Sequence, residues 1–156
     1  MFSIIIPTYN RGYVLWKAVN SVLAQTESGW EILVVNDGST DCTLRLLEEF
    51  QDERIRVFTN PHQGASAARN YGVSLAQFPF IAYLDSDNVW HSRFLEKMRE
   101  AIGQDETNVL WHCGQNYVCY ERTVKGEWLL ISQETAPGKQ YKAEEIWQMN
   151  GADTNC

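Results

Sequence analysis

Asp85-Ser86-Asp87 follows directly on the apolar run Phe80-Ile81-Ala82-Tyr83-Leu84. On an extended segment, side chains at i and i+2 point the same way, so a strand ending in D-x-D delivers two carboxylates to the edge of a sheet. Carboxylates are hard oxygen donors. Mg²⁺-like ions are held by one or two of them and complete their octahedron with water and phosphate oxygens, so this pair suits a divalent cation shared with a phosphorylated ligand. The same residue types also build ordinary turns, and the pair gains chemical meaning only from its neighbours.

Three further segments carry candidate chemistry. Asp37 follows Ile32-Leu33-Val34-Val35-Asn36 and precedes Gly38. It reads either as an Asp-Gly turn feeding a helix cap or as a carboxylate that accepts the imide N–H of a nucleobase, uracil N3–H or guanine N1–H. Arg69 stands among small residues in Ala67-Ala68-Arg69-Asn70. It is either a solvated helix residue or a guanidinium for a diphosphate, and Arg11 on the first loop is a similar candidate. Tyr9 fits equally the lining of a base pocket and packing against the first helix. His62, His91 and His112 have no spacing that suggests a metal site or dyad and are assigned to surface or packing positions. Trp90 and His91, just after the acidic pair, could border a sugar.

The elements that must position these residues alternate. Ser3–Ile6, Glu31–Asn36, Ile55–Thr59 and Phe80–Leu84 read as strands, and the unbroken Ile32–Val35 run suits a strand covered on both faces. Leu15, Val19, Val22 and Leu23 form one helical face. Leu44, Leu46, Leu47 and Phe50 form a second, with Ser39, Thr40 or Asp41 as its N-cap. Ala65, Ala68, Gly72 and Leu75 form a third, small enough to lie close to a sheet. That rhythm predicts right-handed crossovers and a parallel sheet, whose ligands bind outside the carboxyl ends of the strands. The segments 7–11, 36–39, 60–64 and 85–88 all leave those ends. Beyond Asp87, a helix through Phe94, Leu95, Met98 and Ile102 precedes strand-like Val109–Cys113, Tyr117–Tyr120 and Trp128–Ile131, a Lys125-Gly126 turn and an amphipathic piece, Ala143–Met149. The tail strands are expected to pair antiparallel, and the main sheet is their candidate partner.

Composition limits the classes. The chain has 156 residues, 44% of them hydrophobic, and a net charge of −7. The acidic balance removes the basic footprint of a nucleic-acid binder and is repelled by an anionic membrane. No apolar run reaches spanning length, and strand-like Phe2–Ile6 directly after Met1 leaves no room for a signal sequence, so the expected location is cytoplasmic. Cys42, Cys113, Cys119 and Cys156 show no C-x-x-C spacing and are expected as free thiols in packing positions. Neither G-x-G-x-x-G nor G-x-x-x-x-G-K-[ST] follows the first strand, and no Ser lies in G-x-S-x-G. Any phosphate is left to a metal ion and arginine.

Four ordered motifs, Ile5-Ile6-Pro7-Thr8-Tyr9-Asn10-Arg11, Glu31 to Asp41 (EILVVNDGSTD), Gly64 to Gly72 (GASAARNYG) and Tyr83 to Asn88 (YLDSDN), resemble the nucleotide-binding half of glycosyltransferase family 2, inverting enzymes of GT-A fold. The resemblance covers roughly residues 2–100. It implies an α/β GT-A fold: a mainly parallel, Rossmann-like sheet flanked by helices, with short antiparallel strands in the tail. The implied organisation is a single domain over 1–156, with 1–103 binding the nucleotide sugar and 104–156 beginning the acceptor side. By the same resemblance Pro7, Thr8, Tyr9 and Asp37 surround the nucleobase, Arg69 helps hold the nucleotide, Asp85 with Ser86 approaches the ribose side, and Asp87 ligates Mn²⁺ or Mg²⁺ on the diphosphate. The implied donor is a nucleotide sugar, UDP-linked by preference, and the implied acceptor is a saccharide or lipid-linked hydroxyl attacked with inversion. Asn88 stands where many members carry another Asp. The catalytic base and acceptor site of the family lie far downstream of D-x-D, whereas only Asn88 to Cys156 follow here. The expected base is therefore unassigned, with Glu134, Glu144, Glu145 and Asp153 as the remaining tail acids. A nucleotide-sugar-binding module without transfer activity is the alternative, and a nucleotidyltransferase is disfavoured for want of a Gly-rich, Lys-containing phosphate loop.

Overall fold

A computed structural model of the chain describes residues 1–104, 108–113, 115–122, 128–136 and 139–142. It divides into two compact units, Met1–Lys97 and Met98–Cys156.

The first unit is built on four parallel strands, β1 (Phe2–Thr8), β2 (Trp30–Asn36), β3 (Ile55–Thr59) and β4 (Phe80–Tyr83), in the order β3-β2-β1-β4. Helices α1 (Leu15–Leu23), α2 (Thr43–Leu47) and α3 (Ala65–Leu75) connect them. Ile4, Ile5, Ile6, Ile32, Leu33, Val34 and Val35 are completely buried, which explains why β1 and β2 read as unbroken apolar runs: alternate residues face different layers and neither face meets water. Leu15, Val19 and Val22 of α1 are buried as their spacing predicts. Helix α3 lies so close to β1 that a Cβ on Gly72 would stand 2.6 Å from Ile5 Cγ2, and Ala68 joins Ile5, Leu33 and Val35 in one core cluster.

The register pairs Thr8 with Asn36 and Asn36 with Thr59, so the carboxyl ends of β1, β2 and β3 are level. The ladder continues one step beyond the strands, Asp37 N–H donating to the Thr8 carbonyl at 2.8 Å and Asn60 N–H to that of Asn36 at 2.9 Å. The chain winds outward from β1 to β3 and then returns to place β4 on the other side of β1. The β1/β4 gap is thus a topological switch point, where connections leave in opposite directions and a crevice opens at the carboxyl ends.

Opposite that edge, Glu31 is buried and tied to three segments. It accepts from Ser3 Oγ at 2.7 Å, Gln77 N–H at 2.7 Å and Arg56 Nη1 at 3.0 Å. Burial pushes its carboxyl up, but those donors outweigh it and hold the pKa below the ordinary value. This charge, invisible as a tether in the sequence, fastens the α3–β4 connection beneath the sheet.

Helix α2 departs from expectation: it spans only five residues and begins at Thr43, with Cys42 in the cap position. Asp41 still serves its start, accepting the Thr43 N–H at 2.9 Å. Cys42 and Cys113 are free thiols, but Cys42 is exposed and not a packing residue. Helix α4 (Phe94–Gln104) appears where the Phe94-Leu95-Met98-Ile102 face predicts it.

In the second unit, β5 (Asn108–His112) pairs antiparallel with β8 (Lys139–Lys142), and β6 (Gln115–Arg122) with β7 (Trp128–Ala136). Among the described residues these strands pair with one another and not with the main sheet. The Lys125-Gly126 turn, the Ala143–Met149 piece, Glu144, Glu145, Asp153 and Cys156 lie outside the described residues, as do the side chains of Cys119 and Glu134. No described helix is long and apolar enough to cross a membrane.

Candidate functional site

The β1–α1 and β2–α2 loops are knitted together at the carboxyl edge. Asn10 adopts a left-handed conformation, φ 50°, which an Asn tolerates better than most residues. From there its N–H donates to Ser39 Oγ at 2.9 Å, and its Oδ1 accepts from Thr40 N–H at 2.8 Å. Arg11 N–H donates to Thr43 Oγ1 at 3.1 Å and Gly12 N–H to Asp41 Oδ2 at 3.2 Å. The Thr43 hydroxyl donates to Asp41, and chiefly through that bond the Asp41 carboxyl stays below its usual range. Arg11 is therefore presented by a loop braced at both ends.

Asp37 does more than turn the chain. Its side chain is only 4% exposed, and its two oxygens accept from Gln63 N–H at 2.9 Å and Gly64 N–H at 2.8 Å, with His62 Nδ1 2.9 Å from Oδ2. Burial raises its pKa; the two backbone donors and His62 more than reverse this, so the group is held below its ordinary value. The Asp-Gly turn is present as well: Gly38 has φ 76°, in the region that favours glycine. His62 Nδ1 stands between Oδ2 and the Asp37 carbonyl, 3.0 Å from the latter, and Oδ1, which accepts only from Gln63, keeps an acceptor site.

His62, expected in a surface or packing position, is exposed and packs at the edge. Its ring stacks on Tyr9 at a centroid distance of 4.1 Å and an angle of 23° while its Nδ1 faces Asp37. Tyr9 thus packs against the β3–α3 loop and remains 41% exposed at the edge. The only sequence signal for His62 was its place in the polar segment after β3. Thr8 is buried at the end of β1, and its hydroxyl is the one buried side-chain polar atom among the described residues without a partner. A buried hydroxyl left without a partner is uncommon in a folded protein and marks the end of β1 as a place where a polar partner is wanting. Pro7, paired in register with Val35, is buried beside it.

The acidic pair differs from the extended arrangement its spacing suggests. Strand β4 stops at Tyr83; Leu84 N–H still bonds to the Ile5 carbonyl at 3.1 Å, and Asn88 N–H then closes a turn onto the Asp85 carbonyl at 3.0 Å. Leu84 and Ser86 are buried and anchor that turn. Burial nevertheless alternates through the turn, Leu84 and Ser86 inside and Asp85 and Asp87 outside, and each carboxylate lies near its own cation. Asp85 Oδ1 lies 2.6 Å from Arg69 Nη2, and Asp87 Oδ2 lies 4.0 Å from Arg11 Nε. Residues 7–11, 37, 62–64, 69 and 85–87 therefore meet at one edge. Among the described residues no three His, Cys, Asp or Glu side chains converge into a ready metal cage. Two half-exposed carboxylates nevertheless fit a Mg²⁺ or Mn²⁺ ion that takes its remaining ligands from water and phosphate.

The family model for "Glycosyl transferase family 2" matches residues 3–152. The chain belongs to glycosyl transferase family 2. Over 97 residues this family 2 chain is 43% identical to the Escherichia coli UDP-Glc:alpha-D-GlcNAc-diphosphoundecaprenol beta-1,3-glucosyltransferase WfgD, covering 62% of the chain and 38% of that protein. It is 40% identical over 103 residues to the putative teichuronic acid biosynthesis glycosyltransferase TuaG of Bacillus subtilis, covering 64% and 41%. Over 156 residues it is 28% identical to the glycosyltransferase GlyG of Streptococcus pneumoniae, covering 98% and 51%. The chain thus spans between 38% and 51% of the length of these relatives. Among solved structures, S. aureus TarS 1-349 in complex with UDP-GlcNAc superposes with a TM-score of 0.64 at 28% identity, covering 67% of this chain and 32% of TarS. The GT-A fold expected from the motifs is the fold observed.

Proposed function

We propose that this family 2 chain binds the nucleoside diphosphate of a sugar donor, UDP by preference, at the carboxyl edge of β1, β2 and β4, as the donor-binding part of a glycosyltransferase. The observation that carries the reading is the meeting of Arg11, Arg69, Asp85 and Asp87 from three separate segments at the switch point. Two guanidiniums and two hard-oxygen ligands are what a metal-bound diphosphate requires. WfgD, named for a UDP-Glc donor, and TarS, crystallised with UDP-GlcNAc, support the choice of UDP.

In this reading the free acceptor site of Asp37 takes uracil N3–H, Tyr9 offers its ring to the base, and the Thr8 hydroxyl gains its missing partner. Arg69 and Arg11 donate to diphosphate oxygens, while Asp87, with Asp85, holds Mn²⁺ or Mg²⁺. When bound, the metal supplies neutralisation of diphosphate charge. The acceptor hydroxyl of a saccharide or lipid-linked sugar attacks the anomeric carbon from the side opposite the diphosphate. The bond from that carbon to the phosphate oxygen breaks, its electron pair leaves with the diphosphate held by the two arginines, and a general base takes the hydroxyl proton, giving inversion. The lipid-linked acceptor in the name of WfgD supports that class of acceptor.

A thermal-shift panel tests the binding step. UDP and UDP-sugars with Mn²⁺ should raise the melting temperature more than GDP or ADP, with a stabilisation of about 2.7 kcal/mol at one hundred times the dissociation constant. No shift with any nucleoside diphosphate would refute the proposal.

A further inference from the structure

Each of the two carboxylates proposed to hold the metal already has a guanidinium beside it, hydrogen-bonded at 2.6 Å for Asp85 and 4.0 Å away for Asp87, and the two arginines come from different elements. Arg69 rises from α3 to Asp85, and Arg11 reaches Asp87 from the β1–α1 loop. The acids sit on a turn fixed by the Asn88–Asp85 backbone bond and by buried Leu84 and Ser86. The arginines, by contrast, are long side chains, and the four side chains are between 33% and 54% exposed. Exposed pairs of this kind are weak, so little free energy holds each arginine where it stands.

Charge balance sets the terms on which a ligand can enter. Two carboxylates and two guanidiniums form a neutral cluster, so a divalent ion entering alone takes the remaining carboxylate oxygens against the repulsion of two cations already beside them. A diphosphate brings the anionic oxygens that the arginines need, in the forked geometry that guanidinium groups favour. We infer that Arg11 and Arg69 act as place-holding cations on Asp87 and Asp85 and move to the diphosphate when it binds, so that metal and nucleoside diphosphate bind as one cooperative event. This rests on the donor-site reading and adds to it a reason for the coupling: the repulsion that a metal ion meets falls as the arginines are drawn away to the diphosphate. Linkage makes the effect reciprocal, with each ligand tightening the other by the same factor.

Mn²⁺ binding, followed by the electron paramagnetic resonance of the free ion, measures this directly with and without UDP. In the unaltered chain Mn²⁺ alone should bind weakly and tighten about 5–150-fold with UDP present. Arg69→Gln should bind Mn²⁺ alone more tightly and UDP alone more weakly, since the competitor for Asp85 is also the donor to the diphosphate. Arg11→Gln, on a separate loop and at the longer contact, should shift both in the same directions by less. If UDP binding is Mn²⁺-dependent in the unaltered chain but neither variant gains affinity for Mn²⁺ alone, the exchange is wrong while the donor site stands. If the unaltered chain binds UDP not at all, or equally with and without Mn²⁺, the donor-site reading fails and the exchange fails with it.

Discussion

Replacing Asp37 by alanine removes the acceptor that holds the β3–α3 loop against the end of β2. The Gln63 and Gly64 N–H groups lose a charged partner at 2.9 and 2.8 Å, and His62, stacked on Tyr9, loses one of its two contacts with Asp37 and keeps the backbone carbonyl. A hydrogen bond to a charged group contributes about 1.5–3 kcal/mol, so two would amount to about 3–6 kcal/mol if no water replaced them. Both donors are only partly buried, so water recovers some of this, and the expected loss lies near about 3 kcal/mol. For a chain of this size that lowers the melting temperature by about 6–12 °C. Asp37→Asn keeps one acceptor oxygen and should fall between the two. The assay is a circular-dichroism melt at pH 7, paired with UDP calorimetry well below the melt, where the folded Asp37→Ala variant should bind UDP poorly. A variant that melts within about 2 °C of the unaltered chain would show that the carboxylate does not hold this loop.

Gly72→Ala places a methyl 2.6 Å from Ile5 Cγ2; overpacking of about 1–3 kcal/mol outweighs a helix-propensity gain of about 1 kcal/mol, and urea unfolding should show a net loss. An unchanged or raised midpoint would mean that α3 can move away from β1. Glu31 and Asp37 both have folded-state pKa values below their ordinary 4.5 and 3.8. Their contribution to stability is fully present above those ordinary values, and as pH falls through the lower folded values the unfolded chain binds more protons and the contribution is lost. Thermal melts should therefore be flat from neutral pH to about 5 and decline below it, less steeply for Glu31→Gln; equal slopes for the two proteins would contradict the network drawn around Glu31.

The sheet was legible in the sequence because Ile4–Ile6 and Ile32–Val35 have no alternation to resolve: burial on both faces writes itself as a run. The edge was legible for the same reason, since each polar segment follows a strand whose direction the crossovers fix. The turn at Asp85 was legible as one of two readings, since Asp, Ser, Asp and Asn are all turn formers; its place was not, because a strand's end is set by where the next N–H finds a partner, and Asn88 finds the Asp85 carbonyl. His62 and Glu31 escaped for a different reason. Their partners, Tyr9 and Asp37 for the one, Ser3, Arg56 and Gln77 for the other, come from distant segments that only the folded register brings together. Spacing reports local chemistry, while a tether between loops leaves no period to read.

The most direct test of the donor-site account is titration calorimetry of UDP into the chain with and without Mn²⁺, repeated on Asp87→Ala. The account predicts clearly tighter binding when Mn²⁺ is present and loss of that gain, but not of the fold, in the variant. Equal affinity in the two conditions, or a Mn²⁺ effect that survives in Asp87→Ala, would contradict it.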